Sequence, residues 1–245
     1  MSVSSKKGFD PTFENGGFWD YYKDLEHQFE DFLKYVPYLE GNEETYSYRL
    51  ANIILAIGAH IDSAFKEITK YALFSTKYPK MLNPVYEKGV KKGKPRRQNI
   101  SDYYPISEEY NLPQEIVKFK CLPQRKEIVP FKEYQRITKK VPYWWTAYNK
   151  IKHNFNENFK MANLRTARDA LAGAFLLNVI HIPSIDRLLS FGLLKARYGP
   201  KGYELIYDKF RGKEMHPGYS PSDVKDPYFI ETELFVYDYQ KPIKP

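Results

Sequence analysis

The sequence has a single cysteine, Cys121, in 245 residues. One thiol excludes an intramolecular disulfide and a multi-cysteine zinc site. It suits a reducing compartment, where such a residue behaves as a small apolar side chain. Glycine is scarce as well, with 13 Gly against 22 Tyr and 16 Phe, which argues against a loop-dominated scaffold. Long apolar runs are missing. The longest candidate, 170–182, is interrupted by Asn178 and His181 and stops at Pro183. It falls short of the roughly 18 residues a membrane span needs. The first residues carry lysines with no apolar run behind them and do not read as a signal peptide. No membrane association and a cytoplasmic location are expected.

Common chemical signatures are also lacking. There is no glycine-rich phosphate loop, no paired-glycine dinucleotide fingerprint and no His-Glu-x-x-His. The five histidines, His27, His60, His153, His181 and His216, include no pair at metal-ligand spacing. Neither a metal nor another cofactor is expected.

What is present is apolar, aromatic and basic. Hydrophobic residues make up 42% and aromatic ones 17%, enough to exclude global disorder and to build a sizeable core. The net charge is +8. Nearly all of that excess lies in 91–140, with thirteen Lys/Arg against six Asp/Glu. A localised basic field attracts polyanions. Within it, Lys91, Lys92, Arg96 and Arg97 cluster on an expected loop, read either as a phosphate-contacting arm or as a solvated loop.

Periodicity predicts a mainly α protein: a bundle of four or more helices with an irregular basic insertion and a small C-terminal β element. Phe18, Tyr22, Leu25, Phe29, Phe32 and Val36 mark one helical face over 18–36, stopped by Pro37. A longer helix is expected over 43–74, with Glu43 and Glu44 at its positive end. Beside its apolar stripe runs a second row, Arg49, Asn52, Ala56, His60, Ser63, Glu67 and Lys70. That row either faces water or lines a cleft. Residues 76–129 are punctuated by proline and read as the insertion, with short strands expected over 116–121 and 127–131. Pro142 sits where the first helical residue of a segment running to about His153 would fall. A small-residue helix over 161–179, a short helix over 185–195 capped by Ser184, and strands over 203–210 and 228–239 complete the outline. The chain reads as one domain, with its helical core over about 16–75 and 130–197 and a β appendage over about 200–240.

One stretch carries a family resemblance. Tyr148-Asn149-Lys150-Ile151-Lys152-His153-Asn154-Phe155, preceded by Trp144 and Trp145 and followed by an Ala-rich helix, resembles the signature of the HEPN superfamily. These are helical-bundle proteins of prokaryotic toxin and phage-defence systems, often metal-independent ribonucleases. Their motif is an Arg, commonly followed by Asn, with a His four to six residues on; one toxin branch has a Tyr two residues past the His. Asn149 and His153 fall in the matching places. Tyr148 stands where the Arg would be, and Phe155 where that Tyr would be.

The resemblance implies a site of His153, Asn149 and Tyr148, with His153 moving protons. Lys150, Lys152 or Arg49 would supply the positive charge that a phosphorane requires. It implies RNA or another polyanion as partner, a homodimer, and an antitoxin-like protein partner in a defence or toxin–antitoxin system. The function expected is that of a metal-independent ribonuclease or a catalytically altered relative. Trp144 and Trp145 are expected in core and aromatic-cleft packing, or else as a base-stacking platform. Two further classes stay open: a non-catalytic interaction module, and a protein that binds a nucleotide or another phosphorylated ligand between helices.

Overall fold

A computed structural model describes residues 17–87, 90–120, 126–180, 193–198, 203–206 and 228–239. The expected leader, Cys121 and the Ser184-capped helix over 185–192 lie outside the described residues.

The protein is mainly helical with a small antiparallel sheet. Helix α1 (Gly17–Leu33) buries Tyr22, Leu25, Phe29 and Phe32, the face its periodicity marks out. Helix α2 (Tyr48–Lys70) begins later than expected, because the Ser47 hydroxyl caps it by accepting from the Leu50 amide at 3.1 Å. The chain turns extended at Tyr71, and a short α3 (Ala72–Lys77) follows. Helix α4 (Tyr104–Glu109) lies in the proline-punctuated segment. Helix α5 (Tyr143–His153) starts directly after Pro142 and ends at His153. A single turn, α6 (Phe155–Asn158), leads through a 3₁₀ turn toward α7 (Leu164–Ile180).

Helix α7 is the axis of the bundle. All its residues are buried except Arg165 and Ile180. Helices α1, α2 and α5 pack on it and complete a four-helix core. Its small residues allow close approach: the Gly173 Cα faces the Trp144 indole so tightly that a Cβ there would meet it at 3.0 Å.

The sheet has the strand order β2-β1-β6-β5-β3-β4 and is antiparallel throughout. Strands β3 (Leu194–Tyr198), β4 (Tyr203–Ile206), β5 (Tyr228–Glu231) and β6 (Phe235–Tyr239) come from the C-terminal part. The expected single strand over 228–239 is a hairpin: the Thr232 amide donates to the Phe235 carbonyl at 2.8 Å and folds the chain back on itself. Leu194 and Lys195, expected in a helix, belong to β3.

The remaining strands, β1 (Val117–Phe119) and β2 (Lys126–Ile128), come from the proline-punctuated segment, and β1 pairs with β6. That segment therefore contributes the other end of the sheet. It also supplies core: Phe119 packs 5.4 Å from Phe235, which stacks on Phe175 of α7 at 5.7 Å. The Tyr239 hydroxyl donates to the Val179 carbonyl at 2.6 Å, so sheet and bundle share one hydrophobic core.

No helix among the described residues is long and apolar enough to cross a membrane.

Candidate functional site

Helix α5 places the motif residues in two environments. Tyr148 is buried; its ring lies over Gly58 of α2 and 5.1 Å from Trp145. Asn149 and His153 are one turn apart and share a helix face. Asn149 is half-buried, and its side-chain amide donates to the Trp145 carbonyl one turn back at 3.1 Å. His153 is exposed at the C-terminal end, beside exposed Lys150 and Lys152 in the same last turn. Three basic side chains there suit the partial negative charge of a helix C-terminus. Lys152 leans on Tyr148, with Nζ 3.4 Å from the hydroxyl and 5.4 Å from the ring centre.

Trp144 and Trp145 do not line a cleft. Both are buried, and the Trp144 indole N–H donates to the Pro130 carbonyl at 2.7 Å. Their size and apolar area draw them into the core between α5 and α7.

The aromatic groups that do reach the surface near His153 lie elsewhere. Phe155 follows His153 by two residues. Its ring stacks on Tyr48, the first residue of α2, at 5.8 Å and 14°. Phe159 lies 4.6 Å from Tyr48 and 5.2 Å from Tyr46. Tyr48 is 69% exposed. Arg49 is exposed beside it, with Asp31 of α1 4.0 Å away.

The basic loop divides. Arg96 is a structural residue: its guanidinium grips Asp102 through two bonds of 2.7 and 2.5 Å and also donates to the Val85 and Arg97 carbonyls. The paired carboxylate raises its pKa further. It is therefore not placed as a phosphate contact. Lys91, Lys92 and Arg97 are exposed, and Lys91 sits 5.8 Å from the Tyr86 ring centre.

Two polar clusters lie away from the motif. In the first, Arg168 of α7 is buried and contacts Tyr38, Glu43 at 3.3 Å and Asp169 at 2.5 Å. Glu43 also accepts from Tyr38 at 2.5 Å and Lys126 at 2.6 Å. Glu43 thus answers a buried guanidinium rather than the α2 dipole. Tyr143 donates to Asp169; burial first, and then the neighbouring Asp169 charge, push its pKa well up. The signal for this cluster was an Arg-Asp pair inside an otherwise apolar helix.

In the second cluster, His60 of α2 is only 3% exposed, with Asn178 Nδ2 at 3.1 Å from its Nε2. The other Asn178 amide hydrogen goes to the Ala174 carbonyl at 2.8 Å. Asn178 therefore donates, and His60 is held neutral with its proton on Nδ1. Burial lowers its pKa to about 4. Phe18, Tyr21, Ala59, Ser63 and Glu67 surround it and line a cavity of about 540 Å³. Part of the second row of α2 thus borders a cleft.

No family model, curated protein or solved structure matches this chain. Function rests on the arrangement of its own residues. Among the described residues, no group of three or more His, Cys, Asp or Glu could hold a metal ion.

Proposed function

We propose that this chain is a HEPN-like protein that contacts RNA or another polyanion through the C-terminal end of α5. One observation carries the reading: His153 is exposed on the same face as Asn149, with Lys150 and Lys152 in the same turn. Proton transfer falls to His153. Charge stabilisation falls to lysines, which do not reproduce the two-pronged geometry of a guanidinium. Tyr148 is packed against α2 and takes no part. On this reading the protein is a catalytically altered relative of the metal-independent ribonucleases, and the family resemblance adds a homodimer in a cytoplasmic defence or toxin–antitoxin system.

The test is incubation of purified protein with structured and single-stranded RNA without metal, beside His153→Ala. Cleavage by the wild type that disappears in the variant supports an enzyme. Undetectable cleavage by both removes catalysis and leaves binding. A fall in affinity with rising salt, shallower in a Lys150→Ala, Lys152→Ala double variant, supports polyanion contact.

The cavity beside His60 favours a second reading. Its volume is in the range of small-molecule sites. Among the described residues its walls carry the Glu67 carboxylate and no lysine or arginine, which suits an uncharged or cationic ring rather than a phosphorylated ligand. Protection of the protein against thermal unfolding by a nucleoside, absent for the nucleotide, would support it.

A further inference from the structure

We infer that Tyr48 seats an unpaired nucleobase next to His153, a binding subsite outside the motif; this rests on the RNA-contact reading above. The first residue of a helix, 69% exposed, gains little from being aromatic. Here the ring is nonetheless held in place. Phe155 stacks on it at 14° and Phe159 packs at 4.6 Å, while Tyr46, itself 44% exposed, meets Phe159 edge-on at 5.2 Å. The result is a preorganised aromatic ledge of the kind on which single-stranded nucleic acids stack their bases.

Charge and distance favour this occupant over an apolar protein segment. Arg49 and Lys160 are exposed next in sequence to Tyr48 and Phe159, and Lys150 and Lys152 are exposed in the last turn of α5. Facing them are Glu157, which is exposed on α6, Asp31 at 4.0 Å from Arg49, and Glu44, which is engaged by the Asn163 amide at 2.7 Å. Phe155 is two residues past His153, a reach of at most about 7 Å along the backbone. A base stacked on Tyr48 therefore lies at the end of α5 that carries His153. A base in a duplex has its faces covered by its neighbours and cannot use the ledge.

The experiment measures binding of a fluorescent single-stranded oligoribonucleotide and of its fully paired duplex. The proteins compared are the full-length wild type, Tyr48→Ala and Tyr48→Trp, each checked for folding by circular dichroism. The expected result is roughly tenfold weaker single-strand binding in Tyr48→Ala, retained binding in Tyr48→Trp, and unchanged duplex binding in both. Single-strand binding by Tyr48→Ala equal to wild type overturns the ledge and leaves the basic α5 face standing. A change in oligomeric state on size exclusion, with RNA binding unaltered, assigns the ledge to a second copy of the chain and also overturns it. Failure of the wild type to bind either RNA removes the RNA reading itself, and the subsite with it.

Discussion

Gly58 of α2 lies directly under the ring of Tyr148 of α5. A Cβ at Gly58 would come closer to that ring than 3.0 Å, a separation real side chains essentially never show. This contact gives the aromatic residue at position 148 a packing role. A buried ring uses that position to lock α5 onto α2, and a guanidinium there would lose its hydration without a partner.

The first prediction follows from that pair. Gly58→Ala improves helix propensity by up to about 1 kcal/mol but overpacks a filled contact, at a cost of about 1–3 kcal/mol. Net destabilisation is expected in urea unfolding. Adding Tyr148→Leu should relieve the clash, so that the double variant costs less than the sum of the two singles. Strict additivity would show that the two residues do not press on one another.

The same contact shows what the sequence could and could not convey. Local features announce α5: Pro142 at its start, basic residues at its end, and an apolar face between. The apolar face of α1 was equally legible. Nothing near Tyr148 reveals Gly58, which lies on a different helix. β1 falls inside the strand expected over 116–121, but its partner, distant in sequence, stayed hidden: Phe119 pairs with Phe235 of β6. Three-residue strands carry too little periodicity to fix such a partner. The tryptophans beside the motif are a milder case, because an aromatic run reads alike as core or cleft until the opposing wall, here Pro130 and Gly173, is known. Arg96 looked like its basic neighbours until Asp102 was found at its fork.

His60 predicts a pH dependence. Its pKa is about 4 in the folded protein and near 6.5 when unconstrained. Between these values the unfolded chain binds a proton that the folded protein refuses, so acidification favours unfolding. The stability His60 contributes is complete above pH 6.5 and drains away as pH falls toward 4. The slope approaches about 1.4 kcal/mol per pH unit, and the total is on the order of 3 kcal/mol. Carboxylates titrate in part of the same window, so the readout is a difference. His60→Gln keeps an acceptor for Asn178 but cannot titrate. Its stability should fall less steeply than wild type from pH 6.5 to 4, and identical slopes would sink the prediction.

Arg168 predicts an asymmetry. It is buried against the carboxylates of Glu43 and Asp169. Arg168→Met leaves those charges without their central cation, and a loss of about 3–5 kcal/mol is expected. Lys126 already contacts Glu43 and softens the loss on that side only. Combining Arg168→Met with Glu43→Gln should recover part of the stability, because the cost lies in uncompensated charge rather than in the missing bonds. Chemical denaturation of the two singles and the double reads this coupling. A double variant no more stable than Arg168→Met would mean that packing, not charge, governs the site.

Glu26 of α1 predicts how the sheet is held to the bundle. It is 1% exposed. Its Oε1 accepts from the Thr232 hydroxyl and from the Leu234 amide at 3.1 Å, while its Oε2 accepts from Lys23 at 2.6 Å. One carboxylate thus fastens the turn between β5 and β6 to a helix more than two hundred residues earlier in the chain. Hydrogen bonds to a charged group are worth about 1.5–3 kcal/mol each, and the Leu234 amide has no second acceptor within the turn to replace this one. Glu26→Ala should therefore loosen the hairpin before it loosens the bundle. Amide hydrogen exchange at Leu234 and along β5 and β6 should accelerate by at least tenfold, with the amides of α2 and α7 keeping most of their protection. Glu26→Gln retains an oxygen for the Leu234 amide but loses the charge that holds Lys23, and should fall between the two. If exchange in the hairpin and in α7 accelerates together, sheet and bundle open as one unit, and the carboxylate is not a local fastening.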